Sequence, residues 1–206
     1  MLLEEDLERL KSILGHMAKH TRDVVSKTAM LFEDIDNALR TSLWSDIDKT
    51  AITLEMVRRE FVNEILLFIV RRQPLGRELL TAHVLTNVAY DVYRISRYCR
   101  EIARIDSMLT PESNVSQIPE LREVFGYAAR AVEIVLKDLV QLKPNGEKEI
   151  AEIDGRVDEY YKKIIKDVVT SDKVEKYTAL KLLIVRHVER IVDHTAYIEN
   201  HLKELA

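Results

Sequence analysis

The sequence predicts an all-α protein built as two tandem antiparallel three-helix bundles. Three observations lead there. Six stretches place apolar residues at the 3.6-residue period, and none sustains strand alternation. Charged residues make up 32% of the chain against only 5 Gly and 4 Pro, a balance that suits long helices. The two halves also echo each other: Val92-Tyr93-Arg94-Ile95 matches Val188-Glu189-Arg190-Ile191, and Ile102 matches Ile198 at the same offset.

The expected helices span roughly 3–40, 46–72, 75–108, 118–142, 147–169 and 173–205. Hydroxyl and carboxylate side chains from Thr41-Ser42 to Ser45-Asp46 supply cap chemistry between the first and second helices. Pro74 and Gly76 break the chain before the third. Pro111 and Pro119 bracket the break between the halves, and Pro144-Asn145-Gly146 forms the next. Thr170-Ser171-Asp172 offers caps before the sixth helix. Gly15, Gly126 and Gly155 fall inside helices, where glycine is tolerated at some cost. The expected division is a first repeat at 1–109, a linker at 110–117 and a second repeat at 118–206. Short loops force sequential helices to run antiparallel.

Composition excludes several classes of function. The formal net charge is -4, so neither a nucleic-acid footprint nor a polybasic membrane patch is expected. Cys99 is the only cysteine, which rules out an intrachain disulfide and suits a reducing compartment. The opening Met1-Leu2-Leu3-Glu4-Glu5-Asp6 turns acidic early and lacks the order of a signal peptide. The apolar run Ile65-Leu66-Leu67-Phe68-Ile69-Val70 ends in Arg71-Arg72, far short of the roughly 20 residues a span needs. The expected location is cytoplasmic.

The candidate chemistry lies in two acidic pairs at i, i+4 spacing: Asp154/Asp158 in the fifth helix and Glu189/Asp193 in the sixth. Asp154 and Asp158 edge an apolar arc of Ile153, Val157, Tyr161, Ile164 and Val168. Glu189 and Asp193 edge the arc of Val185, Val188, Val192 and Ala196 in the same rotational sense. Reversing one helix reverses its apparent rotation, so both pairs come to the same side of the seam. Their common midpoint lies between residues 173 and 174, beside the expected turn, so the axial level matches too. Two readings stand. The four are solvated acids neutralised locally by Arg156, Lys162 or Arg190, or they are an oxygen-rich site for a hard cation.

These residues resemble the phosphate-uptake regulator (PhoU) family. Glu189-Arg190-Ile191-Val192-Asp193-His194 looks like its ERIxD signature, and Asp154-Gly155-Arg156-Val157-Asp158 like its DxxVD signature. Arg71-Arg72-Gln73-Pro74 is similar to its RQP turn. The resemblance implies a pair of three-helix bundles with a surface metal ion or metal cluster in the second repeat, held by Asp154, Asp158, Glu189 and Asp193. Iron or zinc would be the family's metals; carboxylate ligands also admit manganese or magnesium. It implies a regulatory adaptor that is not an enzyme. Such an adaptor restrains phosphate import by contacting a phosphate-transporter ATPase and a sensor kinase at the cytoplasmic face. It would then be peripheral to the membrane through its partners, and a homodimer is compatible with the reading. An accessory subunit of another carrier or ion transporter is the alternative, and a metal-dependent enzyme a third reading.

The first repeat departs from this pattern. Tyr93 and Arg97 stand where the second repeat has Glu189 and Asp193. Ala51 and Glu55 stand where it has Asp154 and Asp158. No metal is expected there, and Arg97 is expected to pair with Glu55. His16/His20 lack the adjacent Glu of a helical zinc motif. His187, His194 and His201 recur every seven residues on a face away from Glu189/Asp193, so a solvated or partner-facing stripe is expected. Cys99 reads as a plain helix cysteine, and Tyr90, Tyr93 and Tyr98 as bundle-edge packing. No phosphate-cradling loop or nucleophile elbow occurs.

Overall fold

The computed structural model describes residues 2–205. Six helices follow one another: α1 (Leu2–Met30), α2 (Asn37–Arg72), α3 (Arg77–Ser107), α4 (Pro119–Gln141), α5 (Glu147–Thr170) and α6 (Lys176–Lys203). Two 3-10 turns, Pro111–Ser113 and Val115–Gln117, occupy the segment between α3 and α4. Among the described residues there is no strand. No helix there is long and apolar enough to cross a membrane.

Helices α1–α3 pack on one another, as do α4–α6. The two bundles lie side by side, with α3 against α6 and α1 against α4. One apolar cluster runs through both, from Leu14 and Met17 in α1 through Val88 and Ile95 in α3 to Val135 in α4 and Val188 in α6.

The first break differs from expectation. Helix α1 stops at Met30 and α2 begins at Asn37, so the turn lies at 31–36 rather than at the Thr41–Asp46 cap cluster. Asp36 is the cap: its Oδ1 accepts from Leu39 N at 2.8 Å. Thr41 instead donates its hydroxyl to the Asn37 carbonyl inside the helix, at 2.8 Å. The orphaned carbonyls at the end of α1 find a guanidinium. Arg40 Nη1 donates to Leu31 O at 3.0 Å, and Nη2 donates to Glu33 O at 3.2 Å.

Arg40 is drawn inside by Asp106. The two have side-chain exposures of 2% and 0% and meet at 2.7 Å. Asp106 Oδ2 also accepts from Trp44 Nε1 at 2.9 Å, and Oδ1 accepts from Val115 N at 3.0 Å. One carboxylate thus joins the start of α2, the end of α3 and the connecting segment.

The sixth helix also starts later than expected. Thr170 and Ser171 donate to Lys166 O and Asp167 O, so these hydroxyls close α5 rather than open α6. The RQP turn is tight: Gln73 takes a left-handed conformation at φ 49° and its N–H closes on Ile69 O.

Gly146, at the start of α5, has no room for a side chain; a Cβ there would lie 2.1 Å from Ile134 Cγ2. Its N–H donates to Asp138 Oδ2 at 2.8 Å and to Glu199 Oε1 at 2.6 Å. Burial, and then the neighbouring Asp138 carboxylate, push the Glu199 carboxyl up to about 7.

Two predictions follow from these buried groups. Arg40→Met should cost about 3–5 kcal/mol in urea unfolding, because it strands a buried carboxylate. Arg59→Ala, which breaks an exposed pair with Glu55, should cost less than about 1 kcal/mol. Glu199 binds its proton more tightly folded than unfolded, so its contribution is full below its ordinary pKa of 4.5 and is lost as pH rises through about 7. Glu199→Gln should therefore stabilise the protein relative to the parent above neutrality, with the difference vanishing in acid. Paired melting curves across that range would measure it, and a difference that does not change with pH would contradict it.

Candidate functional site

The groove between α5 and α6 is built as its periodicities require. Ile153, Val157 and Ile164 of α5 are buried against Val185, Val188 and Val192 of α6. This turns Asp154 and Asp158 to the same edge of the seam as Glu189 and Asp193. Burial raises the Asp154 carboxyl, and the charges of Asp158 and, across the seam, Asp193 raise it further. Burial likewise raises Glu189, then Asp193 and, across the seam, Asp158, against the opposing pull of Arg186 and Arg190. Asp154 thus feels Asp193, and Glu189 feels Asp158, across the seam.

Cations stand between them. Arg186 Nη1 donates to both oxygens of Glu189, at 2.8 and 2.7 Å. The Arg186 guanidinium also lies over the Tyr161 ring of α5, 5.4 Å from its centroid. Arg190 Nη1 holds Asp193 at 2.6 Å, and its Nε lies 3.5 Å from Glu189. Lys162 reaches Asp158 at 3.2 Å. Arg156 has no ion pair with these carboxylates among the described residues and lies over the Tyr127 ring, at 5.6 Å. In this arrangement no three His, Cys, Asp or Glu side chains among the described residues are gathered tightly enough to hold a metal ion. Carboxylate oxygens are the donor type that hard cations take, and here those of Glu189 and Asp193 are occupied by arginines. Arg186 was not flagged by the sequence reading. Its signal was an Arg three residues before Glu189 at the edge of the apolar arc.

The corresponding groove of the first half is different. Glu55 pairs with Arg59 one turn on, at 2.6 Å, and no Arg97–Glu55 pair forms among the described residues. Arg97 is exposed and Ala51 is buried. Arg58 lies over the Tyr93 ring, 5.3 Å from its centroid. A stacked cation and ring therefore occupy the place of a carboxylate cluster. The expected pair fails because Arg59, on the same helix, is the nearer partner.

The histidine stripe is neither solvated nor free for a partner; it faces α3. His194 is buried, and its Nδ1–H donates to Asp91 Oδ1 at 2.7 Å. His201 Nε2 lies 3.5 Å from Asp91 Oδ2. His187 is held down by burial, and Tyr98 stacks near both His187 and His194, at 5.9 and 5.7 Å. The expectation failed because α6 buries two faces, one on its own bundle and one on α3. Asp91 was also missed; its signal was a lone acid between Val88 and Val92 on an apolar stripe.

Tyr90 and Tyr98 edge the α3–α6 interface, packed near His194. His16 is exposed and His20 half-buried. Cys99 is fully buried, and burial pushes its thiol up to about 12. Cys99 should therefore resist a thiol-disulfide exchange reagent at mildly alkaline pH in the native state and react promptly once unfolded in urea. Fast native reaction would show that the α3 core opens.

No protein-family model matches the chain. A phosphate-specific transport system accessory protein PhoU homologue from Synechocystis sp. is 24% identical over 199 residues, covering 95% of this chain and 84% of that protein. The crystal structure of PhoU from Pseudomonas aeruginosa aligns with a TM-score of 0.79 at 18% identity, covering 98% of this chain and 97% of that one. The phosphate transport system regulatory protein PhoU from Streptococcus pneumoniae aligns at 0.80 and 16% identity, covering 98% and 95%. The chain has the fold of the PhoU structures, and its sequence is similar over 95% of its length to a PhoU homologue.

Proposed function

We propose that the chain is a regulatory accessory protein of phosphate uptake and phosphate signalling. The observation that carries this reading is the likeness, over almost the whole chain, to a phosphate-specific transport accessory protein. The halves at 1–109 and 118–206, joined by 110–117, are proposed as two binding repeats on one adaptor. Its proposed partners are a phosphate-transporter ATPase and a sensor kinase at the cytoplasmic face, with the membrane reached only through them. A non-enzymatic role suits a surface on which Glu189, Asp193 and Asp158 are engaged by Arg186, Arg190 and Lys162.

In the same proposal, metal assists the interaction. Asp154, Asp158, Glu189 and Asp193 would hold a hard cation after exchange with Arg186 and Arg190. The bound cation would supply positive charge without occupying a side chain. The freed guanidinium groups would then be available to an acidic partner. The first half, with Arg58 on Tyr93 in the matching groove, would hold none. This asymmetry also sustains a second reading, an accessory subunit of a different carrier.

Affinity capture from cells at high and low phosphate separates the two. Recovery of a phosphate-transporter ATPase is expected; recovery only of another carrier would overturn the phosphate assignment. Equilibrium titration with iron, zinc, manganese or magnesium tests the metal. Saturable binding should weaken as pH falls, because the ligands must be ionised and Asp154 and Glu189 sit above their usual range. Asp193→Asn should lose it and Glu55→Gln should keep it. No saturable binding of any of these ions would remove the metal from the proposal.

A further inference from the structure

A cavity of about 300 Å³ opens between α2 and α3 beside the Asp106 ion pair. Trp44, Ser45 and Asp48 line it from α2, and Arg100, Arg104 and Ser107 from α3. It exists because the side chains around the indole are small. Ala103 forms the α3 wall, and Ser45 and Ser107 leave the helices unable to close over the ring.

Trp44 is the only tryptophan in the chain, and it cannot turn away. Its Nε1 is tethered to the fully buried Asp106. The same indole lines a neighbouring cavity of about 230 Å³ on the Arg40 side and packs in part against the apolar core. A ring fixed by a buried hydrogen bond is preorganised, and among the described residues no aromatic ring pairs with it.

Two guanidinium groups one helical turn apart complete the wall. Arg100 Nε donates to Asp48 Oδ1 at 2.5 Å, and Arg104 binds Glu101 through Nε and Nη2, at 2.8 and 2.7 Å. Each guanidinium has five donors, so these contacts orient both groups and leave donors to spare. Asp48 and Glu101 balance the two arginines, so an incoming anion would take up their spare donors in competition with these carboxylates. Ser45 and Ser107 add hydroxyls, and Asp48 adds an acceptor for an exocyclic amine or a sugar hydroxyl.

A flat ring, an anionic group and neighbouring polar hydrogens are the ligand features this combination recognises. Inorganic phosphate would use the arginines and waste the indole. A neutral nucleoside would do the reverse. We propose that the α2–α3 groove binds a small planar anion of the nucleoside monophosphate class, its base on Trp44 and its phosphate between Arg100 and Arg104. The volume is at the lower end for ligand pockets and suits one mononucleotide rather than a dinucleotide.

The lone tryptophan is its own reporter. The full chain should be titrated with AMP, reading Trp44 emission with excitation at the red edge of the indole band, and in parallel by calorimetry. A saturable emission change with matching heat is expected, while adenosine and inorganic phosphate each bind at least ~10-fold more weakly. Arg104 is 57% exposed, so Arg104→Gln should leave the unfolding midpoint unchanged. The same change should weaken AMP at least ~10-fold, because a charge-assisted contact is lost. Arg59→Gln, on a distant surface, should leave affinity unchanged. Absence of saturable heat and emission change with AMP, equal binding of inorganic phosphate, or undiminished affinity in folded Arg104→Gln would each overturn the proposal.

Discussion

Asp106 is a carboxylate with no access to water, and much of the first bundle is arranged to satisfy it. An ionised acid in that position must be paired and hydrogen-bonded or the fold loses several kcal/mol. Its donors are the Arg40 guanidinium, the Trp44 indole and the Val115 amide, drawn from α2 and from the segment after α3. The pairing also sets where the first turn falls. Once Arg40 is held inside, its remaining donors cap the carbonyls of Leu31 and Glu33, so the chain turns before Asp36. The same contact fixes the plane of Trp44, and with it the cavity wall beyond.

The second polar contact inside the molecule sets how the bundles meet. Asp91 of α3 faces His194 and His201, two helical turns apart on α6. Sliding α6 by one turn would leave the Asp91 carboxylate buried without its donors, a costly state that apolar packing alone would not penalise so sharply. Phe32 against Phe125, with ring centroids 5.0 Å apart, and Arg22 with Glu133 tie α1 to α4 across the same divide. The bundles therefore share a core rather than hinge about 110–117.

The two grooves show how one geometry can be given opposite chemistry. In the second half, burial and mutual repulsion raise Asp154 and Glu189, and arginines relieve the field. In the first half the matching positions carry Tyr93 and Arg97, and Arg58 lies on the Tyr93 ring. The seam that positions both grooves is apolar and insensitive to this exchange. The edge residues can thus vary without cost to the bundle.

Local sequence pattern specified the helical class, four of the five breaks to within a few residues, and the placing of the two acidic pairs on neighbouring helices. Each is a matter of local periodicity and turn chemistry: Pro, Gly and 3.6-residue spacing act within a few residues, and two helices joined by a short turn have little freedom. Arg71-Arg72-Gln73-Pro74 ended α2 where it was expected to, because proline cannot continue a helix. What lay beyond local reach was decided by tertiary structure. The first turn moved because Arg40 found Asp106, 66 positions away. The histidines turned inward because α6 meets α3, a contact no heptad count on α6 reveals. Arg186 entered the carboxylate groove because Tyr161 of the facing helix offered its ring. The Trp44 cavity depends on Ala103 and Ser107 of another helix being small. In each case the deciding free energy is desolvation of a polar group or a ring. Desolvation is set by which distant side chains close over it, and spacing along one helix carries no record of that.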